Sequence, residues 1–379
     1  MPEYLYVLYN WTLWNIAFFV AYKQVMKYKR RGIDGFDTVE LNRKKYSRLY
    51  FIFILYFLFT FFGGDREAYE QMVDFAAHYS YLYVIDMESV YIWIAKLVDG
   101  NFILWKAIVY GGALLLSHFS MKRMNADSMI TLLFFAGFCL YGYGASRAIL
   151  AYSIYVFGLT FLKDKGFVKP ALGWIVVISS FFFHNSMLPL IVLTPLYYLR
   201  LDKRKIIILL VVYPLVQVAF NYVVNNLSDY IMLFSGLEGQ EHMADRLENY
   251  TGDEREAVGH SRLYYIQILL ELLVFVPFLY YSIKQNIKYK LPKDFNGFVT
   301  ILFFLSYLVI MLKMCPLLDT FEFYWRYFSI FPYIAYILAI PIYNAEKNNL
   351  KFLEPLWLLM AFAMNFQFLS LLYNEMTSK

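Results

Sequence analysis

Apolar stretches of about 14 to 22 residues recur along the chain, each bounded by charged residues or by Gly and Pro, which is the pattern of membrane-spanning helices. Twelve are predicted, at about 4–22, 49–62, 102–120, 128–144, 148–162, 170–183, 187–199, 206–225, 263–283, 295–314, 326–343 and 352–372. The first has neither a basic start nor a small-residue cleavage site, so it is expected to be a retained helix and not a removed signal peptide. The pair 170–183 and 187–199 is short, roughly 21 Å of helix per leg against a hydrocarbon core of about 30 Å. Basic residues flank both far ends (Lys163, Lys165 and Lys169, then Arg200, Lys203, Arg204 and Lys205), so the chain must cross and return. His184 and Asn185, at the tip of FFFHNSMLP, would then lie below the membrane surface, where polar groups need a watery cavity or protein around them.

Two polar intervals are long enough to carry chemistry. The first, about 63–101, opens GGDREAYEQMVDF, and Tyr69, Met72, Val73 and Ala76 fall at i, i+3, i+4 and i+7. This spacing predicts an amphipathic helix lying along the membrane surface. The second, about 226–262, sets Arg246, Arg255 and Arg262 among acidic residues, with Met243, Leu247 and Tyr250 at helical spacing, as a charged lid over the opening would. With no soluble domain, low-complexity tract or clear repeat, residues 1–379 form one integral membrane domain. The predicted fold class is all-α: a polytopic transmembrane protein of about twelve helices with two larger outer loops.

Composition agrees: 60% of residues are hydrophobic, 21% aromatic and only 17% charged, with a mean hydropathy of +0.48, which excludes an ordinary soluble domain. The charge distribution sets the orientation. Alternate loops (23–48, 121–127, 163–169, 200–205, 284–294 and 344–351) hold 24 of the 34 Lys and Arg residues and are therefore cytoplasmic, which places both termini outside. Inside there are 17 Lys and 7 Arg, whereas elsewhere there are 4 Lys and 6 Arg, so the outer side prefers arginine. This bias accounts for most of the net charge of +5, and nucleic acid is not implied. Cys139 and Cys315 both fall near outer helix ends, but their spacing demands no disulfide.

The outer arginines are the sharpest signal, because a cation beside hydrocarbon is costly and a guanidinium fork suits phosphate oxygens. Arg147, in GYGASRAIL, reads as a phosphate ligand or as an interfacial snorkelling side chain. Arg326, after FEFYW, reads as a second phosphate ligand or as the partner of Glu322 one turn back. His184 reads as a general base or hydrogen-bond donor, or as a structural histidine. Asp65 is a candidate base or metal ligand, with Arg66 as a further phosphate contact, yet Asp65 is equally a good helix N-cap. Arg262 is a further candidate for the diphosphate. The other histidines, His78, His118, His242 and His260, lack partners at metal or triad spacing and are expected to be solvated or interfacial. No phosphate-binding P-loop, dinucleotide fingerprint or GxSxG elbow occurs, which argues against an ATPase, a Rossmann enzyme or a serine hydrolase.

GGDREAYEQMVDF, SRAILA, FFFHNSMLP and YWRYFSIFPYI, in that order, resemble the EpsG-like family, whose members are similar to Wzy-type O-antigen and capsule polymerases. The resemblance implies a GT-C-like membrane glycosyltransferase of the bacterial inner membrane with its active site on the periplasmic face. Such an enzyme transfers a growing glycan from undecaprenyl diphosphate to a hydroxyl of one lipid-linked repeat unit. Donor and acceptor are then both undecaprenyl-diphosphate-linked oligosaccharides. Energy comes from the diphosphate bond, with no nucleotide sugar, ATP, metal or other cofactor, and the partners it implies include a chain-length regulator. By the same resemblance Arg147 and Arg326 neutralise the diphosphate, His184 orients or deprotonates the acceptor, and Asp65 occupies the acidic position of the first-loop motif. Arg66 stands where small residues are common in relatives.

Three other readings use the same residues. A flippase for lipid-linked oligosaccharides would hold its cargo on the outer arginines, although no internal repeat is evident. A metal-dependent lipid-linked glycosyltransferase would take Asp65 and Glu67 as ligands. A membrane acyltransferase would use His184 as its base.

Overall fold

The computed structural model describes residues 3–30, 43–58, 64–79, 87–140, 146–226, 262–316, 323–346 and 352–377. The apolar runs dictate helices almost throughout, and no strand occurs among the described residues. In chain order the helices are α1 (Glu3–Arg30), α2 (Arg43–Leu58), α3 (Gly64–His78), α4 (Ser89–Leu97), α5 (Phe102–Arg123), α6 (Met129–Phe134), α7 (Ser146–Leu162), α8 (Val168–Phe183), α9 (Leu188–Leu193) and α10 (Lys203–Asn225). They continue as α11 (Arg262–Ile287), α12 (Asn296–Lys313), α13 (Phe323–Phe328), α14 (Phe331–Ala345) and α15 (Leu353–Thr377).

Every predicted stretch carries helix, but the lengths differ. By length and composition six helices among the described residues can cross a membrane: Phe102–Arg123, Lys203–Asn225, Tyr265–Ile287, Lys293–Lys313, Tyr324–Ala345 and Leu353–Thr377. Four shorter apolar helices join them, at Arg48–Leu58, Met129–Cys139, Arg147–Leu162 and Val168–Phe183. The chain is thus a polytopic, all-helical membrane protein; against the twelve spans expected, six helices among the described residues are both long and apolar enough for a full span, and α1, at 28 residues, is long enough without being one of them. Large apolar side chains turned away from the protein, such as Val211, Leu215 and Val218 on α10 and Leu269, Leu273 and Val276 on α11, belong with a hydrocarbon solvent.

The centre is built from α6, α7, α12 and α14; from Phe331 to Tyr343 every residue of α14 is buried. After Phe134, α6 continues as one π-turn (Phe135–Cys139), where Gly137 lets the Met360 side chain of α15 lie so close that a Cβ would fall 2.2 Å from it. The α7–α8 pair is as tight. A Cβ on Gly158 would meet the backbone N of Val177 at 2.8 Å, and one on Gly173 would meet the carbonyl of Gly158 at 3.0 Å. Small residues at a helix crossing are how membrane helices bring their backbones together.

The predicted hairpin forms, with one difference in its second leg. His184 caps α8 in an extended conformation, a 3-10 turn follows at Asn185–Met187, and the leg at 187–199 is α9 succeeded by a second 3-10 stretch at Thr194–Tyr198. Pro189 and Pro195 interrupt the backbone donors and tighten the leg. Where the winding tightens, the carbonyl of Leu190 accepts from Thr194 Oγ1 at 2.7 Å and from the Tyr155 hydroxyl of α7 at 3.3 Å. The stretch 326–343 is likewise divided, into α13 and α14, with a turn at Ser329 and Ile330 ahead of Pro332.

α3 turns the residues of its predicted stripe toward protein: Val73 and Ala76 are fully buried, and Tyr69 and Met72 pack against the core, with α4 and α5 as neighbours. The turn between α4 and α5 uses Gly100 at φ +72°, and a Cβ there would stand 3.1 Å from Asp74 Oδ1 of α3. The charged 227–261 interval, with Arg246 and Arg255, lies outside the described residues. At the opposite end of α5 and α7, the lysine-rich end, Arg123 pairs with Asp164 and stacks 3.8 Å over the Phe161 ring, while Lys163 reaches Asp294.

Candidate functional site

Four elements converge where α7 begins. Arg147 is the second residue of α7, His184 closes α8, Tyr69 comes from the middle of α3, and Glu88 stands immediately before α4. A residue in the position of Glu88 ordinarily caps its helix with a side-chain oxygen. Glu88 does not cap α4, and its carboxylate bridges two other helices instead. Arg147 Nη1 donates to Glu88 Oε2 at 2.9 Å, and Arg147 Nε donates to the Tyr69 hydroxyl at 3.1 Å. His184 Nδ1 stands 3.2 Å from Glu88 Oε1. That nitrogen is buried, and the contact is close but out of line for a hydrogen bond.

The floor of this cluster is aromatic and dry. Tyr91, fully buried, donates its hydroxyl to the backbone carbonyl of Arg147 and so fixes the start of α7 against α4. Trp105 of α5 donates to the carbonyl of Tyr91 at 3.2 Å, and the Phe183 ring, beside His184, meets Tyr91 edge-on at 6.1 Å. The charged side chains keep little water: 17% exposure for Arg147, 12% for Glu88 and 20% for His184. Burial pushes the Glu88 carboxyl upward, but His184 and Arg147 outweigh it and hold the group below the usual carboxylate range. The site therefore contains an ionised acid between a fixed cation and an imidazole.

Of the residues singled out by sequence, the structure brings Arg147 and His184 together through Glu88. Arg326 sits on α13 with an exposed side chain, and its backbone carbonyl accepts from the Tyr152 hydroxyl of α7 at 2.9 Å. Tyr152 follows Arg147 by five residues, about 7.5 Å along the helix, so α13 docks beside the same end of α7. Lys313 joins that end, with its ammonium 4.7 Å from the centre of the Tyr324 ring. Arg262 opens α11 with an exposed side chain and is not one of the residues paired with Glu88. Asp65 and Arg66 fall in the first turn of α3, but their side chains lie outside the described residues, as does Glu322.

Sequence reasoning missed Glu88. In VIDMESVYIW it looks like any acid ahead of a helix; the usable signal was that two polar side chains in a water-poor site, Arg147 and His184, require an anion. Two histidines expected to be solvated or interfacial have partners. His118 Nδ1 lies 2.6 Å from the Tyr50 hydroxyl of α2, and His78 stands between Asp74 and Asp99 at 3.3 and 3.6 Å. His242 and His260 lie outside the described residues. Among the described residues no three His, Cys, Asp or Glu gather as a metal ion requires, and both cysteines are free and buried.

The arrangement can hold an anion on the guanidinium and move a proton at the imidazole. A family model described as the EpsG family matches residues 45–376, whereas no curated protein and no solved structure matches the chain. The matched segment runs from α2 into α15 and contains every candidate residue named above. The chain therefore belongs to the EpsG family, which is related to the Wzy-like polysaccharide polymerases.

Proposed function

We propose that the protein polymerises a bacterial polysaccharide by moving the growing glycan from undecaprenyl diphosphate to a hydroxyl of a lipid-linked repeat unit. The observation that carries this reading is the mostly buried Arg147, held by a carboxylate it shares with His184. Glycosyl transfer from a diphosphate calls for a cation to stabilise the anionic leaving group and an acceptor for the proton, and one cluster offers a guanidinium and an imidazole for these tasks. As the bond from the anomeric carbon to the diphosphate breaks, negative charge grows on the phosphate oxygens. Arg147 in a water-poor setting stabilises that charge more than it stabilises the bound donor, which is what lowers a barrier. Arg326 and Lys313, at the neighbouring end of α13, and Arg262 extend the cationic surface for the second phosphate. His184 accepts the proton of the acceptor hydroxyl.

The basic loops support an orientation with this site on the outer face of the inner membrane, where lipid-linked repeat units are joined. In the same reading α1 and the shorter apolar helices, the α8–α9 hairpin among them, complete the transmembrane bundle to about twelve segments. The reaction draws on the diphosphate bond alone, with neither nucleotide sugar nor metal. Asp65 and Arg66, in the first turn of α3, are assigned in this reading as additional acceptor and phosphate contacts.

The test is reconstitution. Purified protein in vesicles, given the lipid-linked repeat unit of its host, is expected to make a ladder of products with chelator present and nucleotide absent. Movement of the repeat unit to the other leaflet with no ladder would identify a flippase, and a ladder abolished by chelator would identify a metal-dependent transferase.

A further inference from the structure

We propose that Glu88 is a switching carboxylate, which holds Arg147 until a diphosphate claims the guanidinium and then turns to His184, so that the base is armed beside a bound donor. The identity of that donor rests on the polymerase reading; the switch itself rests on geometry.

The two oxygens of Glu88 are unequally engaged. Oε2 accepts an aligned hydrogen bond from Arg147 at 2.9 Å, whereas Oε1 is 3.2 Å from His184 Nδ1 without alignment. A buried polar nitrogen in that condition is normally satisfied in a working state, and a small rotation of the carboxylate would satisfy it. Glu88 is free to make that move because it does not cap α4. Arg147 is not stranded by it, since the Tyr69 hydroxyl stays on Nε.

A diphosphate supplies what displaces Glu88. Its oxygens match the guanidinium fork, and its negative charge repels the neighbouring carboxylate. His184 Nδ1, 3.2 Å from Oε1, is within reach of that carboxylate. A carboxylate on Nδ1 fixes the proton there, leaves the Nε2 lone pair for the acceptor, and stabilises the imidazolium that forms. The transfer then balances. The acceptor oxygen forms its bond to the anomeric carbon as its proton passes to Nε2. The bond from that carbon to the diphosphate breaks, and its electron pair leaves with the lipid diphosphate, held by Arg147. The imidazolium proton is afterwards lost to water.

Glu88 on this account is a positioning residue, and its neutral isostere separates switching from simple support of Arg147. With inorganic diphosphate as probe, Glu88→Gln is expected to bind about 10-fold more tightly than the unaltered protein, because the competing charge on Arg147 is gone. In polymerisation the same variant is expected to lose roughly 100-fold or more in kcat without a rise in KM for the donor, the signature of a weakened base. Glu88→Asp, which keeps the charge, is expected to recover part of the rate. Weaker diphosphate binding by Glu88→Gln, or a raised KM with kcat preserved, would overturn the switch and leave Glu88 as a brace for Arg147. The two levels fail separately. Tighter diphosphate binding in a protein that makes no ladder would retain the switch and reject the polymerase, whereas a ladder from the unaltered protein together with weaker binding by Glu88→Gln would do the reverse.

Discussion

Glu88, only 12% exposed, pairs with Arg147 at 17%, so their interaction is shielded from the water and salt that make most surface ion pairs worth little. Because the folded protein holds this carboxyl below its usual range, its contribution to stability is complete above the unfolded value and is lost as pH falls through the lower, folded value. Thermal unfolding in detergent, compared between neutral pH and about pH 3, is therefore expected to show a steeper acid loss for the unaltered protein than for Glu88→Gln. Equal losses would remove the electrostatic argument for the pair. At this scale the sequence was legible where a residue was out of place: an arginine at the start of an apolar helix, a histidine at the tip of a short hairpin. It was silent about Glu88, since nothing local distinguishes an acid that caps its helix from one that reaches across to two others.

Hydropathy located the helices well because burial in lipid demands long apolar runs whatever the tertiary fold. Their ends and interruptions were less legible, because these answer to neighbours. The π-turn of α6 accommodates Met360 from more than 200 positions away, and the 3-10 winding of the 187–199 leg is supported by Tyr155 of α7. The α7–α8 crossing carries consequence for the site, since Arg147 begins one of these helices and His184 ends the other. Gly173→Val places methyls where the carbonyl of Gly158 already stands, and is expected to cost about 1–3 kcal/mol of stability and most of the activity as the hairpin is pushed from α7. Gly111→Ala in α5, where a Cβ meets nothing within 4 Å, is the control and should leave both intact. Similar losses from the two substitutions, measured by thermal unfolding and product ladders, would show that the close crossing has no special role.

For the whole molecule, the charge pattern and the cluster at α7 give one polarity. Ion pairs such as Arg123–Asp164 and Lys163–Asp294 gather at the lysine-rich end, while the arginine and histidine of the site sit at the other. A single cysteine at exposed Glu67, in a chain whose Cys139 and Cys315 are buried, is expected to react with an impermeant thiol reagent added to intact cells, and one at exposed Lys169 only after lysis. The opposite pattern would put the cluster on the cytoplasmic face and remove the proposed meeting place with exported repeat units. The central claim, that Arg147 stabilises the departing diphosphate, is tested most directly by product ladders from Arg147→Ala in vesicles matched for inserted protein and thermal stability. The account predicts no product beyond a single repeat unit, a loss of at least about 100-fold; long-chain product from this variant at a rate near that of the unaltered protein would contradict it.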